Sequence, residues 1–178
     1  MAPRSRSLAP LALLALALLA PGCRNKIGSA CKVSTDCSLR AARTCDLSYL
    51  VDKNGIEGAG GKGECIVEGC TVGSCPKEAV CVQIYSAAYL SVACDPETED
   101  RPGADGRDDC DPNEVCLPEG VCADANTARA TCRRECTRDS TCRAGYSCRE
   151  TGRGGVYVAR DPENPLETEE TAICMPNG

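Results

Sequence analysis

The sequence predicts a small disulfide-rich fold, made of tandem cysteine-stapled modules with short β-hairpins and little helix. Three observations support this prediction. The 178-residue chain contains 17 cysteines and 17 glycines but no tryptophan or phenylalanine, so few large apolar side chains can build a core. Its N-terminus has the pattern of an export signal, and disulfides persist in the oxidising compartments that exported proteins reach. All but one of the cysteines follow residue 30, at recurring spacings.

The export signal is predicted over residues 1–22. Arg4 and Arg6 supply its positive start, and an almost unbroken Leu/Ala run follows over 8–20. This run of about 13 residues is too short to span a bilayer, since a transmembrane helix needs about 20. An ordinary signal peptide that is cleaved at another residue is the alternative interpretation.

Cys23 follows the signal and accounts for the odd cysteine. A Leu-rich segment, the small residue Gly22 and then Cys23 resemble the lipobox of bacterial lipoproteins, in which the cysteine thiol is lipidated and becomes the mature N-terminus. Pro21 departs from that pattern, because Ala, Ser or Thr is commoner at this position. The resemblance implies two or three acyl chains and therefore firm membrane attachment. By the sorting rule of such lipoproteins, Arg24 implies the outer membrane. Residues 23–30 are predicted to be a membrane tether.

The other sixteen cysteines fall into four groups of four, which pair completely if they form eight disulfides. In each group the first two gaps are 4 to 7 residues long, whereas the last is 9 to 25 residues. This spacing is typical of a duplicated module. We predict modules at 31–69, 70–94, 110–135 and 136–178, with an acidic linker at 95–109. The predicted disulfide residues are Cys31, Cys37, Cys45 and Cys65; Cys70, Cys75, Cys81 and Cys94; Cys110, Cys116, Cys122 and Cys132; and Cys136, Cys142, Cys148 and Cys174.

The pairing within a group is open, because four cysteines allow three pairings. We favour first-to-third and second-to-fourth, which ties the early turn to both strands of a hairpin. The third group is the expected exception. In an alternative grouping Cys94 opens a module completed by Cys110, Cys116 and Cys122, which leaves Cys132 to bond to another module.

Local patterns predict the hairpins. Strand-like runs at 45–51 and 64–67 flank a turn that contains Asn54-Gly55, a strong hairpin signal. Further hairpins are expected between 80–85 and 89–94 and between 155–159 and 171–174. One or two helical turns are expected over 127–135.

The spacing over residues 136–148 resembles a known family. Cys136, Cys142 and Cys148 form a Cys-x5-Cys-x5-Cys core with a central Asp139 and with Gly145 before the last cysteine. This core is similar to those of Dickkopf N-terminal-like and whey-acidic-type modules, although the adjacent double cysteine of the whey-acidic pattern is missing. The resemblance implies a small cysteine-rich binding module. The composition also resembles that of uncharacterised lipoproteins of myxobacteria.

Composition argues against several functions. The chain has no histidine, so an ordinary Ser-His-Asp or Cys-His relay is impossible, and we expect no catalytic residue and no cofactor. No Cys-x-x-Cys occurs, which argues against a structural zinc site. The formal net charge of −6 disfavours nucleic acid as a partner. The acidic stretch 95–111 carries oxygen ligands of the kind that calcium prefers, but we favour a solvated linker and predict no metal site.

The expected function is a lipid-anchored, non-enzymatic binding or structural module of the bacterial cell envelope. Its expected partners are the membrane, through the lipid anchor, and an envelope or extracellular protein or polysaccharide. The alternative is a hydrolase (protease) inhibitor that presents a rigid loop, for which Arg153-Gly154-Gly155 is the nearest candidate.

Overall fold

The computed structural model describes residues 25–40, 42–58, 60–85, 92–96, 109–159 and 169–177. Over these residues the fold is built from short antiparallel strands, one single-turn helix and two 3-10 turns, which confirms the predicted small disulfide-rich fold. The elements are β1 (Ala30–Cys31), α1 (Ser34–Cys37), β2 (Thr44–Val51), β3 (Lys62–Glu68), β4 (Ala79–Ile84), β5 (Glu114–Leu117), β6 (Val121–Asp124), a 3-10 turn (Ala125–Thr127), β7 (Arg129–Arg134), a 3-10 turn (Asp139–Thr141), β8 (Tyr146–Glu150), β9 (Val156–Val158) and β10 (Ala172–Pro176).

Six of these strands form one sheet with the order β1-β3-β7-β4-β9, in which β2 also pairs with β3. Two separate two-stranded sheets join β5 to β6 and β8 to β10. The predicted hairpin between 45–51 and 64–67 is formed by β2 and β3, with Cys45 opposite Cys65. Its turn is ordered by Asp52, whose carboxylate accepts hydrogen bonds from the backbone N–H groups of Asn54 and Ile56.

Three local predictions were wrong, and sheet pairing explains each correction. Both edges of β4 are occupied, by β7 and by β9, which leaves no free edge for the predicted hairpin with 89–94. Residues 89–91 lie outside the described residues, and Ala93 pairs with Val121 instead. The strand at 155–159 therefore pairs with β4, while the strand at 171–174 pairs with β8. The expected helical turns at 127–135 are mainly strand β7, because this segment fills the space between β3 and β4 and hydrogen-bonds to both.

The two faces of the six-stranded sheet carry different side chains. Successive side chains in a strand point to opposite faces, and three strands place a cysteine directly beside a charged residue: Cys45-Asp46, Glu64-Cys65 and Cys132-Arg133. The strand register aligns the cysteines of β2, β3 and β7 on one face, here called the cysteine face. The same register puts their charged neighbours on the opposite face, here called the charged face.

The disulfides follow the alternative grouping rather than four consecutive groups. Cys94 bonds to Cys116, and Cys132 bonds back to Cys75 across 57 residues. The unit that runs from Cys94 to Cys122 is therefore inserted between Cys81 and Cys132. With this grouping all four units share the first-to-third and second-to-fourth pairing: Cys31–Cys45, Cys37–Cys65, Cys70–Cys81, Cys75–Cys132, Cys94–Cys116, Cys110–Cys122, Cys136–Cys148 and Cys142–Cys174.

The last unit packs directly on the first. Tyr146 is buried in a cluster with Val51, and its ring meets that of Tyr49 edge-to-face at 6.3 Å between centroids. Gly145 has φ +79°, and a β-carbon there would collide with the side chain of Val51 and press tightly against Gly55. Side chains larger than glycine are therefore excluded here, and the turn before β8 is held against the end of the β2–β3 hairpin.

Candidate functional site

The predicted lipidation residue, Cys23, lies outside the described residues. The described chain begins at Asn25, whose side-chain amide donates to the carbonyl oxygen of Asp36 at 2.6 Å. Arg43 donates to the Asn25 carbonyl, and Ile27 is fully buried among Cys70, Cys81 and Cys132. The expected tether at 23–30 is therefore shortened. Residues 25–30 belong to the folded body, because Ile27 fills its core.

The sixteen other predicted site residues are all half-cystines. Four sets of three cysteines bring their sulfur atoms within 4.8 Å of one another, a spacing that a metal ion could bridge. Every one of those sulfurs is already bonded to another sulfur, whereas metal ligation requires a thiolate. Among the described residues, these clusters are accordingly disulfide crossings. The acidic stretch 95–111 falls largely outside the described residues. The prediction that it is a solvated linker without a metal site therefore also lies outside them.

A buried ion cluster lies on the charged face. Arg133 donates to Glu64 at 2.6 Å and to Asp46 at 3.1 Å, so that one guanidinium bridges two neighbouring strands' carboxylates. The side chain of Glu64 is 1% exposed, and those of Arg133 and Asp46 are each 9% exposed. A buried charge is tolerated only when it is paired and hydrogen-bonded, which makes Arg133 the residue on which this face depends.

The shared arginine leaves the two carboxyl groups in different electrostatic environments. Burial raises the pKa of Glu64, and the charge of Arg133 offsets only part of that increase. Burial also opposes ionisation of Asp46, but hydrogen bonds from Ser48 and the charge of Arg133 outweigh it and lower the pKa of Asp46. Burial, followed by the charge of Glu64, raises the pKa of Tyr146 to about 12.

Paired carboxyl groups with divergent pKa values are often an acid and a base in catalysis. Here the geometry favours a structural role. Glu64 is 1% exposed, so a substrate cannot reach its carboxyl group in this conformation. The adjacent pocket, between β2, β7 and β8, has a volume of about 110 Å³. That is room for a few waters at roughly 30 Å³ each, and it is well below the roughly 300–1,000 Å³ of typical ligand pockets.

A larger groove lies beside the two-stranded sheet of β8 and β10. Its volume is about 590 Å³, and its lining residues are Cys148, Arg149, Glu150, Arg153, Gly154, Val156, Ile173 and Met175. Arg153 and Glu150 form a 3.5 Å ion pair in which both side chains are more than 70% exposed. Such an exposed pair is weak, so Arg153 can exchange this partner for an anionic group of a ligand.

The groove is held rigid by its own covalent and hydrogen-bonded frame. Disulfides to Cys136 and Cys142 fix the two strands at Cys148 and Cys174. Glu119 accepts hydrogen bonds from the Gly154 backbone and from the Tyr157 hydroxyl, which fixes the turn before β9. A rigid site loses less conformational entropy on binding, and this favours the groove as a recognition surface.

The predicted inhibitor loop, Arg153-Gly154-Gly155, forms part of this turn. The Val156 N–H donates to the carbonyl of Arg153, and Gly154 and Gly155 have φ values of +63° and +71°. Proteases bind the reactive segment of a substrate in an extended conformation, and Arg153 sits in a closed turn. The geometry therefore does not favour inhibition through this loop.

Sequence reasoning missed both the ion cluster and the groove. A local signal for the cluster did exist, since Asp46, Glu64 and Arg133 each adjoin a cysteine in a strand-like segment. Alternation along a strand places each of these charges on the face opposite the half-cystine. Tyr146, which lies in a different unit, covers these charges, and they are therefore buried.

Comparisons with protein families, curated proteins and solved structures found no match. Within the part of the chain that the structure describes, no helix has the length and apolar content to cross a membrane. The features of this chain that bear on function are the disulfide frame, the groove and the N-terminal residues.

Proposed function

We propose that this protein is a lipid-anchored, non-enzymatic binding module of the bacterial cell envelope. Eight disulfides are characteristic of an exported protein. The observation that carries the proposal is that Asn25, only two residues after Cys23, is already hydrogen-bonded to the folded body. An acyl group on Cys23 would hold a rigid recognition body directly at the membrane. Arg24 follows the lipidated cysteine, and by resemblance to the sorting rule of bacterial lipoproteins this membrane is the outer membrane.

The anchoring half of the proposal is tested at Cys23. Changing Cys23→Ser removes the thiol to which the lipid attaches, so the protein should leave the membrane fraction. Intact-mass measurement of the wild-type mature protein should show an acylated N-terminal Cys23. An unmodified N-terminus at any other residue contradicts lipid anchoring.

The groove of β8 and β10 is the proposed recognition surface. Arg149 and Arg153 offer planar guanidinium donors, which suit carboxylate or phosphate groups. Val156 and Met175 add apolar surface to the same groove. This combination suits an acidic segment of an envelope or extracellular protein, or a polysaccharide that carries acidic groups.

Cross-linking in the membrane fraction tests the groove. The double variant Arg149→Ala/Arg153→Ala should lose the cross-linked partner that the wild-type protein captures. Arg138→Ala is the matched control, because Arg138 is an exposed arginine outside the groove-lining set. If the double variant captures the same partner with the same yield as the control, the groove is not the recognition surface.

A further inference from the structure

The basic residues of this acidic chain are concentrated next to the proposed anchor. Residues 24–43 contain five basic residues and one acidic residue, Asp36, whereas the whole chain contains 20 basic and 26 acidic residues. Asp36 is occupied locally, since its carboxylate accepts hydrogen bonds from the backbone N–H groups of Lys32 and Val33. Arg43 is paired with Glu78 at 3.5 Å, but Lys26, Lys32 and Arg40 are exposed, and they present a positive surface on a protein that is negative overall.

Two exposed apolar side chains accompany these charges. Leu39, just after α1, is 92% exposed, and Val33, just before it, is 55% exposed. Lys32 and Arg40 lie next to them in sequence and are also exposed. We name Lys32, Val33, Leu39 and Arg40, together with Lys26, the N-terminal surface.

The hydrogen bonds of Asn25 place this surface close to the anchor. The side chain of Asn25 is hydrogen-bonded to the backbone of Asp36, which lies between Val33 and Leu39 in the chain. Two residues extend by at most about 7 Å, and that is the longest reach from Cys23 to Asn25. The polar layer on each side of a bilayer is about 5–7 Å thick. A lipid on Cys23 would thus bring the loop around Asp36 to the level of the lipid headgroups.

We propose that the N-terminal surface docks onto anionic lipid headgroups, with the side chain of Leu39 entering the interface. This inference rests on the proposed lipid anchor, which sets the distance to the membrane. Lys26, Lys32 and Arg40 attract the anionic headgroups, and Leu39 and Val33 gain by leaving water. Docking fixes how the rigid body is oriented, so that the end of the β2–β3 hairpin near Ile56 points away from the membrane.

Tryptophan fluorescence tests the docking directly, because the chain has no tryptophan of its own. The variant Leu39→Trp carries a single fluorophore in the proposed interface. The matched control is Ile56→Trp, since Ile56 is 65% exposed and lies at the far end of β2. An eight-residue strand spans roughly 23 Å, which separates the two probes clearly.

Each lipidated, full-length mature variant is placed in vesicles of phosphatidylglycerol and phosphatidylcholine whose acyl chains carry bromine. Leu39→Trp should emit at shorter wavelength and lose at least half of its intensity by bromine quenching, whereas Ile56→Trp should be unchanged. Adding Lys32→Gln/Arg40→Gln should reduce the quenching of Leu39→Trp at least two-fold, and adding the control Lys53→Gln should not.

The outcomes separate the two proposals. If Leu39→Trp is not quenched although the mass shows an acylated Cys23, the docking proposal is overturned and the anchor is not. A shorter emission wavelength without quenching also overturns it, because the residue is then covered by protein. A mass without acyl groups refutes the anchor, and the docking inference falls with it.

Discussion

The two faces of the six-stranded sheet are held by different chemistry. On the cysteine face, Cys45 and Cys65 lie side by side and bond outwards to Cys31 and Cys37. On the charged face, Asp46 and Glu64 occupy the neighbouring register position and share Arg133. The first face is held by covalent bonds and needs few apolar side chains. The second depends on one guanidinium, because Arg133 is the only cation among the described residues that lies within salt-bridge distance of the two buried carboxylates.

This difference predicts unequal responses to substitution. A disulfide acts largely by restricting the unfolded chain, and its contribution rises slowly with loop length. A buried ion cluster contributes little when it is complete, but losing one member leaves buried charges uncompensated. The charged face should therefore be the more sensitive of the two to a single side-chain change.

The largest effect is expected from Arg133→Met. It leaves the Asp46 and Glu64 carboxylates buried without a cation, which should lower the free energy of unfolding by about 3–5 kcal/mol. The matched control is Arg129→Met on the same strand, because Arg129 pairs with Glu68 at 2.8 Å but both side chains are about half exposed. Its loss should be below about 1 kcal/mol.

Guanidinium denaturation with the disulfides intact measures both variants. Equal losses for Arg133→Met and Arg129→Met would show that the buried cluster has no special role in holding the charged face.

A smaller effect is expected on the cysteine face. The double variant Cys31→Ala/Cys45→Ala removes a bridge across 14 residues, which should cost about 3 kcal/mol. Leu47→Ala is the control, since Leu47 lies two residues further along β2 and is 51% exposed. It should cost less than about 1 kcal/mol. A bridge variant as stable as this control would mean that the cysteine face is held mainly by packing.

The smallest effect is a pH dependence that originates at Glu64. Because burial raises its folded-state pKa, the folded protein binds a proton more tightly than the unfolded chain. The contribution of Glu64 to stability should therefore rise as pH falls from neutral through that raised pKa, and be complete below about 4.5. Asp46 acts in the opposite direction: its pKa is lowered from 3.8, so stability is lost as pH falls through this lower value.

Glu64→Gln should remove the rise in stability that occurs as pH falls from neutral. It should keep the loss of stability at lower pH, which originates at Asp46. Glu68→Gln, four residues further along the same face of β3 and half exposed, should keep the wild-type profile. Melting temperatures from pH 3 to pH 8 distinguish the variants. Identical profiles for Glu64→Gln and the wild-type protein would exclude Glu64 as the source.

The sequence predicted the repeated cysteine units and one of the three expected hairpins. Recurring cysteine spacing indicated repeated units, and Asn54-Gly55 indicated the β2–β3 turn. The first-to-third and second-to-fourth pairing was the favoured one of three open pairings. Cys94 and Cys132 were also identified as the cysteines that break the four consecutive groups. These features follow from neighbouring residues, whose spacing limits what the chain can form.

The remaining features depend on contacts between distant residues. Arg133 meets Glu64 and Asp46 across 69 and 87 positions of the chain. Residues 127–135 have a sequence compatible with helical turns, yet they become a strand because β3 and β4 supply hydrogen-bond partners on both sides. The groove likewise combines β8 and β10 with a turn that Glu119 holds from the inserted unit. Local spacing can place a charge on one face of a strand, but it does not identify the distant residue that the charge meets.

The most direct test of the nested arrangement is the disulfide map of the mature protein. Proteolysis without reduction, followed by mass spectrometry, should give a peptide that joins Cys75 to Cys132 and another that joins Cys94 to Cys116. Strand β7 then lies beside β4, and Arg133 reaches the charged face. A bridge from Cys132 to Cys110, Cys116 or Cys122, or free thiols at these positions, would contradict the insertion and the sheet that is built on it.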